Sequence, residues 1–367
     1  MRNRILVLVI LALVVGMIAL MVDGCSDNNG DDNGNGNPPD TTEHPDTTKP
    51  DSTGFGTFEL INTIDVDDVP TYTAAYENVL VSASNYRIRI FTLDSPEFPD
   101  EVGIYPEEYP YSSAIKSIAV YDTLLYIALE NRKIVVLNIA DPASPESIGV
   151  VTLLSPPQHI EYGDGMLFVG YLGINGSIVD ISDPTAPALS GTIPVQFDAS
   201  DYFNDMLYCV NSNDMVYEIS IESAESAAIG QSCYTGGANL DVAVTGWGNL
   251  YVGRGVQTGF NTGAFYAYDV NQLGIIKYTE EMPGWTVDKV VTENNFVYIL
   301  GNPSPFGTSD ERLLKIYLAY HLDSIQVEHT ATVDCCNCLQ IHNNYLYAGA
   351  RDAGGSGGFI YIYHHEY

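Results

Sequence analysis

Residues 134–151 read IVVLNIADPASPESIGVV: an apolar strand, a turn of the form Asp-Pro-x-x-Pro, and a second strand entered through Gly149. Val135, Leu137 and Ile139 alternate with Val136, Asn138 and Ala140, the pattern of a strand buried over most of both faces. Pro142 and Pro145 remove two backbone donors and fix two φ angles, so the ladder stops and the chain turns. Asp141, ahead of the first proline, is placed to bond its own turn through the carboxylate, and Asp94 and Asp183 are read the same way. The same stretch recurs at 177–193, SIVDISDPTAPALSGTI, and more loosely at 88–105, IRIFTLDSPEFPDEVGIY. The chain is therefore built from repeats.

A second landmark counts them. A polar pair followed by an apolar strand appears as ENVLVSA at Glu77, DTLLYIA at Asp122, DGMLFVG at Asp164, NDMLYCV at Asn204, GNLYVG at Gly248, NNFVYIL at Asn294 and NNYLYAG at Asn343. Aligning Leu80, Leu125, Leu167, Leu207, Leu250, Val297 and Leu346 gives steps of 45, 42, 40, 43, 47 and 49 residues. Seven units of this length, each with four short strands a to d, predict an all-β fold, a seven-bladed β-propeller of four-stranded antiparallel blades. The last unit stops at Tyr367 after strand c, while TFELINTIDV at 57–66 has the pattern of strand d with no a, b or c before it. Pairing the two closes the ring, removes two open sheet edges and makes the ends of the folded domain neighbours. Two tandem β-sandwiches compete, but they leave seven units at one period without a cause.

The 367 residues carry 47 acidic and 14 basic side chains, a formal net charge of −33 and a pI near 4.1. Such a surface repels phosphate backbones, so nucleic acid is excluded as a partner; cations, cationic polymers and neutral glycans stay open. Solubility in salty water accounts for the acidity equally well.

Arg2 and Arg4 precede an apolar run from 5 to 22, the charged and apolar regions of an export signal. The run ends in Val22-Asp23-Gly24-Cys25, which resembles the lipobox of bacterial lipoproteins and implies lipidation of Cys25. Asp23 stands where that family has a small or apolar residue, and 18 residues also approach the length that spans a bilayer, so an uncleaved anchor and an ordinary cleaved signal stand beside this reading. Residues 1–25 are read as the signal and 26–54 as a disordered acidic linker of Asp, Asn, Gly, Pro and Thr that holds the propeller, 55–367, away from the membrane.

The segment IVDISDPTAP at 178–187 resembles the LVIVD repeat of exported bacterial proteins that look like β-propellers. The likeness is close in the units at Ile134 and Ser177, looser at Ile88, and decayed in the last four, where Glu218-Ile219-Ser220, Asp269-Val270-Asn271 and Tyr320-His321 replace the motif. It implies an exported, surface or periplasmic repeat protein.

Chemistry is sparse. No Ser-His-Asp arrangement, phosphate-binding glycine loop or HExxH motif can be read. His364 and His365 read as a solvated terminus. Cys209 and Cys233 fall on strands b and d of one unit, about 9 to 10 Å apart and beyond disulfide reach. Cys335, Cys336 and Cys338 read as one local disulfide or as small buried thiols, because a thiolate metal site needs a fourth ligand that the spacing does not supply.

Two sets of residues remain as candidates. Counting nine back from each strand-b anchor reaches the start of strand a and reads Thr71, Lys116, Gln158, Asp198, Asp241, Asp288 and Asn337 around the channel mouth. Asp198, Asp241 and Asp288, flanked by the amides of Gln158 and Asn337, offer oxygen ligands to calcium; caps on separate turns are the alternative. Long b–c loops at 254–264, 301–312 and 350–358, carrying Arg254, Phe260, Phe306 and Arg351, are placed to wall the mouth and touch a neutral or peptide ligand. The sequence thus points to a lipid-anchored, monomeric propeller at the outer membrane or cell surface that binds or scaffolds an envelope protein or glycan without catalysis. The alternative is a propeller hydrolase or lyase with acidic channel residues and a bound cation.

Overall fold

A computed structural model of the chain describes residues 57–106, 112–255, 262–303, 311–334, 336–352 and 357–367. The signal, Cys25 and the linker to 54 lie outside the described residues. Among the described residues every strand belongs to one of seven four-stranded antiparallel sheets ordered a-b-c-d. The inner strands a are Tyr72–Tyr76, Ile115–Tyr121, Pro157–Gly163, Ala199–Phe203, Asn239–Val244, Trp285–Glu293 and Cys336–His342, one for each of blades 1 to 7. The fold is the expected seven-bladed propeller.

The polar pairs recur because of what the a–b turn demands. In each blade this turn holds a residue with positive φ: Glu77, Asp122, Asp164, Asn204, Gly248, Asn294 and Asn343 lie between 46° and 78°. Tight hairpin turns require that conformation, and Asn, Asp and Gly adopt it at least cost.

Closure follows the expected route. The N-terminal strand Thr57–Val66 pairs with the C-terminal strand Gly358–Glu366 as strand d of blade 7, with Thr57 opposite Glu366. Asn62 Nδ2 donates to the carbonyl oxygen of Glu97 at 3.0 Å, and His342 Nε2 donates to that of Glu77 at 2.6 Å, so blade 7 is tied to blade 1 at both its outer and inner strands.

The core is a ring. Among the described residues, seven apolar clusters fill the seven gaps between neighbouring blades; Val66, Leu80, Phe91, Tyr347, Ile360 and Ile362, for example, fill the one between blades 7 and 1. Each sheet buries both faces this way, which is why strands b and c are apolar at successive positions.

Local readings need adjustment. Asp141 and Asp183 do bond their turns, accepting from the amides of Ala143 and Thr185 at 3.1 and 3.0 Å. In blade 1 the turn is set one residue later: the Phe98 amide bonds the Ser95 carbonyl as Ser144 bonds Asp141, so Ser95 and not Asp94 holds that position. His365 is 1 % exposed and not a solvated terminus; its Nδ1 meets the Tyr298 hydroxyl at 2.7 Å and its Nε2 lies 3.4 Å from a Glu328 carboxylate oxygen. Cys209 and Cys233 are buried on strands b and d with strand c between them, and no disulfide joins them.

Candidate functional site

The seven inner strands surround a central cavity of about 450 Å³. Its ionisable lining is one-sided, with His159 and Glu161 from blade 3, Asp198 and Asp201 from blade 4, Asp241 from blade 5 and Lys289 from blade 6. Residues two apart on a strand share a face, which is how blade 3 presents both an imidazole and a carboxylate. Blades 1, 2 and 7 contribute uncharged groups, among them Tyr72, Ser117 and Gln340.

Three of these side chains, Ser117, Asp201 and Asp241, reach across to the next blade. An inner strand leaves one backbone edge unpaired, and the channel groups capture its amides. Ser117 Oγ accepts from Ile160 N at 3.2 Å, Asp201 Oδ2 from Val244 N at 2.7 Å, and Asp241 Oδ2 from Val290 N at 2.9 Å. Asp201 Oδ1 also accepts from Tyr202 N at 2.8 Å, and Lys289 Nζ stands 3.7 Å from Asp241 Oδ2.

Burial dominates the electrostatics. It pushes the Asp201 carboxyl up to about 6, against the pull of its two backbone donors and with a push from Asp241. Burial and then the charge of Asp201 hold Glu161 well above the usual carboxylate range. Asp241 is raised by burial in spite of Lys289. Burial, assisted by Lys289, lowers His159 to about 3, so its imidazole is neutral, with Nε2 3.8 Å from Glu161 Oε2. Burial thus raises three carboxyls beside one lysine, which favours their neutral forms.

Of the seven mouth positions counted from the sequence, Thr71, Gln158, Asp198 and Asp241 line the cavity, whereas Lys116 and Asp288 do not and their successors Ser117 and Lys289 do. Two features displace the count. The a–b register slips at Lys116, Gln158, Asp288 and Asn337, one-residue bulges that turn the following side chain into the channel. In blade 5 the slip is at Leu240, because the a–b turn there is one residue longer. The three aspartates hold separate partners. Asp198 Oδ2 accepts from Ser212 N at 2.8 Å, Asp288 accepts from the Thr286 hydroxyl, and Asp241 bonds Val290. Among the described residues no three His, Cys, Asp or Glu side chains gather to hold a metal ion. Lys116 pairs with Glu130 at 3.7 Å, and the side chain of Asn337 lies outside the description. His159, Glu161, Asp201 and Lys289 were not singled out from sequence; the available signal was charge interrupting apolar inner strands, as in HIEY and SDYF.

The loop candidates divide too. Phe260 and Phe306 fall outside the described residues, and Arg351 is exposed at the end of its strand. Arg254 is not a loop residue. It ends strand b of blade 5, Asn249–Arg254, at 6 % exposure, with its guanidinium 5.3 Å from the centre of the Tyr266 ring. Nη1 donates to the Tyr266 hydroxyl at 2.6 Å and to the Thr235 carbonyl at 3.3 Å, and Nη2 to Glu281 at 3.4 Å.

Similarity to known proteins is confined to repeat and fold. No curated protein matches the chain significantly. A chain in the crystal structure of a mitotic checkpoint complex superposes with a TM-score of 0.64 at 13 % identity, covering 90 % of this chain and 98 % of that one. The WD40 β-propeller domain of Doa1 gives 0.62 at 12 %, covering 83 % and 96 %, and BamB from Moraxella catarrhalis gives 0.55 at 12 %, covering 84 % and 100 %. The LVIVD repeat model matches residues 114–152 and 174–194, which are blade 2 and the outer half of blade 3, the two units whose residues resemble it most closely. The chain carries LVIVD repeats within a seven-bladed β-propeller.

Proposed function

We propose that the protein is a binding or scaffolding propeller held at the bacterial cell envelope by a lipid on Cys25, with an envelope protein or glycan as its partner and no catalytic turnover. The observation that carries this reading is the use made of the channel carboxylates. Asp201 and Asp241 spend their oxygens on the amides of Val244 and Val290, so they fasten blade 4 to blade 5 and blade 5 to blade 6. Groups committed to holding a rigid ring favour a scaffold over an acid–base site. The test is cross-linking of the full chain in its native envelope. A defined partner captured equally by wild type and Glu161→Gln supports the reading, as does release of Cys25→Ser from the membrane fraction.

One observation favours the alternative, a hydrolase or lyase. Burial and the charge of Asp201 favour the protonated form of Glu161 inside the cavity, beside a neutral histidine, which is the form a general acid uses. Turnover on a panel of hydrolase and lyase substrates that is lost in Glu161→Gln establishes that reading and ends the first.

A further inference from the structure

The a–b turn of blade 5 departs from the other six. Val244 and Leu250 are the last paired residues, six apart, where Val120 and Leu125 in blade 2 are five apart. The added length carries Gly246-Trp247-Gly248 in place of the polar pair. Its backbone is held firmly. Thr245 N donates to the Asn249 carbonyl at 2.9 Å, Gly248 N to the Thr245 carbonyl at 2.9 Å, and Asn249 N to Thr245 Oγ1 at 3.2 Å. Gly248 supplies the positive φ of 78° that the turn requires. The result is an ordered turn that presents an indole to water at 77 % exposure. An indole left in water contributes nothing to the core, and an exposed one carried on an ordered turn is a feature of recognition surfaces.

Beside it lies a groove of about 380 Å³ between the a–b turns of blades 5 and 6, lined by Val244, Thr245, Trp247, Thr292, Glu293 and Asn294. The groove holds one acidic side chain, Glu293, and its carboxylate is fixed in place. Both oxygens of Glu293 are occupied by the amides of Asn343 and Asn344, at 2.6 and 2.7 Å, and no lysine or arginine lines it. An aromatic face with a rim of hydroxyl, amide and carboxylate acceptors suits a ligand with an apolar C–H face and peripheral hydroxyls. A cationic peptide is matched best by carboxylates free to turn toward it, whereas both oxygens of the single carboxylate here are held by amides, and an acyl chain requires an apolar rim.

Thr245 Oγ1, Thr292 Oγ1 and Asn294 Nδ2 already donate to Asn249, Val244 and Tyr367, which leaves the oxygens of these side chains as acceptors. We propose that this groove is a saccharide-binding site in which the ring of a neutral pyranose stacks on Trp247 while its hydroxyls donate to the oxygens of Thr245, Thr292 and Asn294. The a–b turns lie at the opposite end of the inner strands from the b–c and d–a loops, so the site is separate from the loop face and shares only Thr292 with the channel lining.

The chain has two tryptophans, Trp247 and the half-buried Trp285, so intrinsic fluorescence reads the site directly. The purified full-length chain is titrated with neutral glucans, mannans, xylans and galactans and their oligosaccharides, and with a Lys/Arg-rich peptide. The expected result is a saturable blue shift with at least one neutral glycan. It is retained in Trp285→Phe and lost in Trp247→Ala, with affinity by calorimetry at least about tenfold weaker, a loss of about 1.4 kcal/mol. Trp247→Phe loses less. Because the indole is exposed, the melting temperature of Trp247→Ala stays that of wild type, which separates lost binding from lost folding. No shift with any glycan, a shift that survives in Trp247→Ala, or a response to the peptide alone overturns the proposal. A bound glycan agrees with the envelope-scaffold reading, which admits a glycan partner, but failure of this site leaves that reading intact, because it is decided separately by the cross-linked partner.

Discussion

A Cβ added to Gly149 would lie 2.2 Å from the carbonyl oxygen of Pro184 in the next blade. Gly103 stands in the same relation to Pro142, at 2.1 Å, and Gly191 to Ala224, at 2.5 Å. The two halves of the repeated stretch are therefore partners across blades. The proline turn of one unit lies over the glycine of the strand d before it, so one repeat is the docking surface for the next.

Gly149→Ala should destabilise the protein by about 2 kcal/mol or more, since a backbone carbonyl cannot move aside as a side chain can. Gly165→Ala makes a control. Its added Cβ meets nothing within 4 Å, and only the positive φ of 75° opposes it, at about 1 kcal/mol. Urea unfolding of the two variants should rank them in that order; equal losses would show that strain, and not inter-blade contact, selects these glycines.

In blade 7 the place of that glycine is taken by Asn62, which answers the Glu97 carbonyl with a hydrogen bond rather than by withdrawing. Tyr345 adds a second tie through its hydroxyl to Glu97 Oε1 at 2.8 Å. Asn62→Ala should cost about 1 kcal/mol, the net worth of one such bond. Deleting residues 57–66 should prevent cooperative unfolding altogether, because it opens blade 7 and exposes the cluster with blade 1. A deletion variant that melts like the parent would mean that closure contributes little.

Period, blade number and the closing strand were legible because each rests on local chemistry repeated seven times, such as the left-handed residue at Asp122 or the prolines at 142 and 145. The channel was not legible, because bulges at Lys116 and Asp288 change which side chain faces inward without changing unit length. Nor could spacing reveal Arg254. Strand b of blade 5 runs further than expected and draws into the interior a residue that composition placed on a loop. His365 escaped for a related reason: Phe296, Tyr298 and Glu328, which surround it, come from the preceding blade.

Arg254→Met should lower stability by about 2 kcal/mol, since it removes the charged donor to Tyr266 and Thr235 while keeping most of the buried volume. Partner capture, measured per folded molecule, should not change. Loss of capture at unchanged stability would return Arg254 to the contact surface.

The channel cluster makes stability depend on pH in two opposed ways. Asp201 titrates at about 6 in the fold against an ordinary 3.8, so between those values the folded state binds more protons than the unfolded one. Its contribution is present at the acid end and is lost as pH rises through 6. Glu161 and Asp241 are raised as well and act in the same direction. His159 does the reverse. Its ordinary 6.5 falls to about 3, so the folded state binds fewer protons, and stability present at neutral pH is lost as pH falls below 6.5. Each group supplies a slope of at most about 1.4 kcal/mol per pH unit, and the two partly cancel between about pH 4 and 6. Single substitutions should separate them. Asp201→Asn keeps an acceptor for one of its two amides and removes the titration, so its stability across this window should rise with pH more steeply than wild type. His159→Gln should give the opposite tilt, falling as pH rises. Urea unfolding at half-unit steps from pH 4 to 7 measures both, and profiles parallel to wild type in the two variants would show that the cavity admits enough water to leave these groups near their ordinary values.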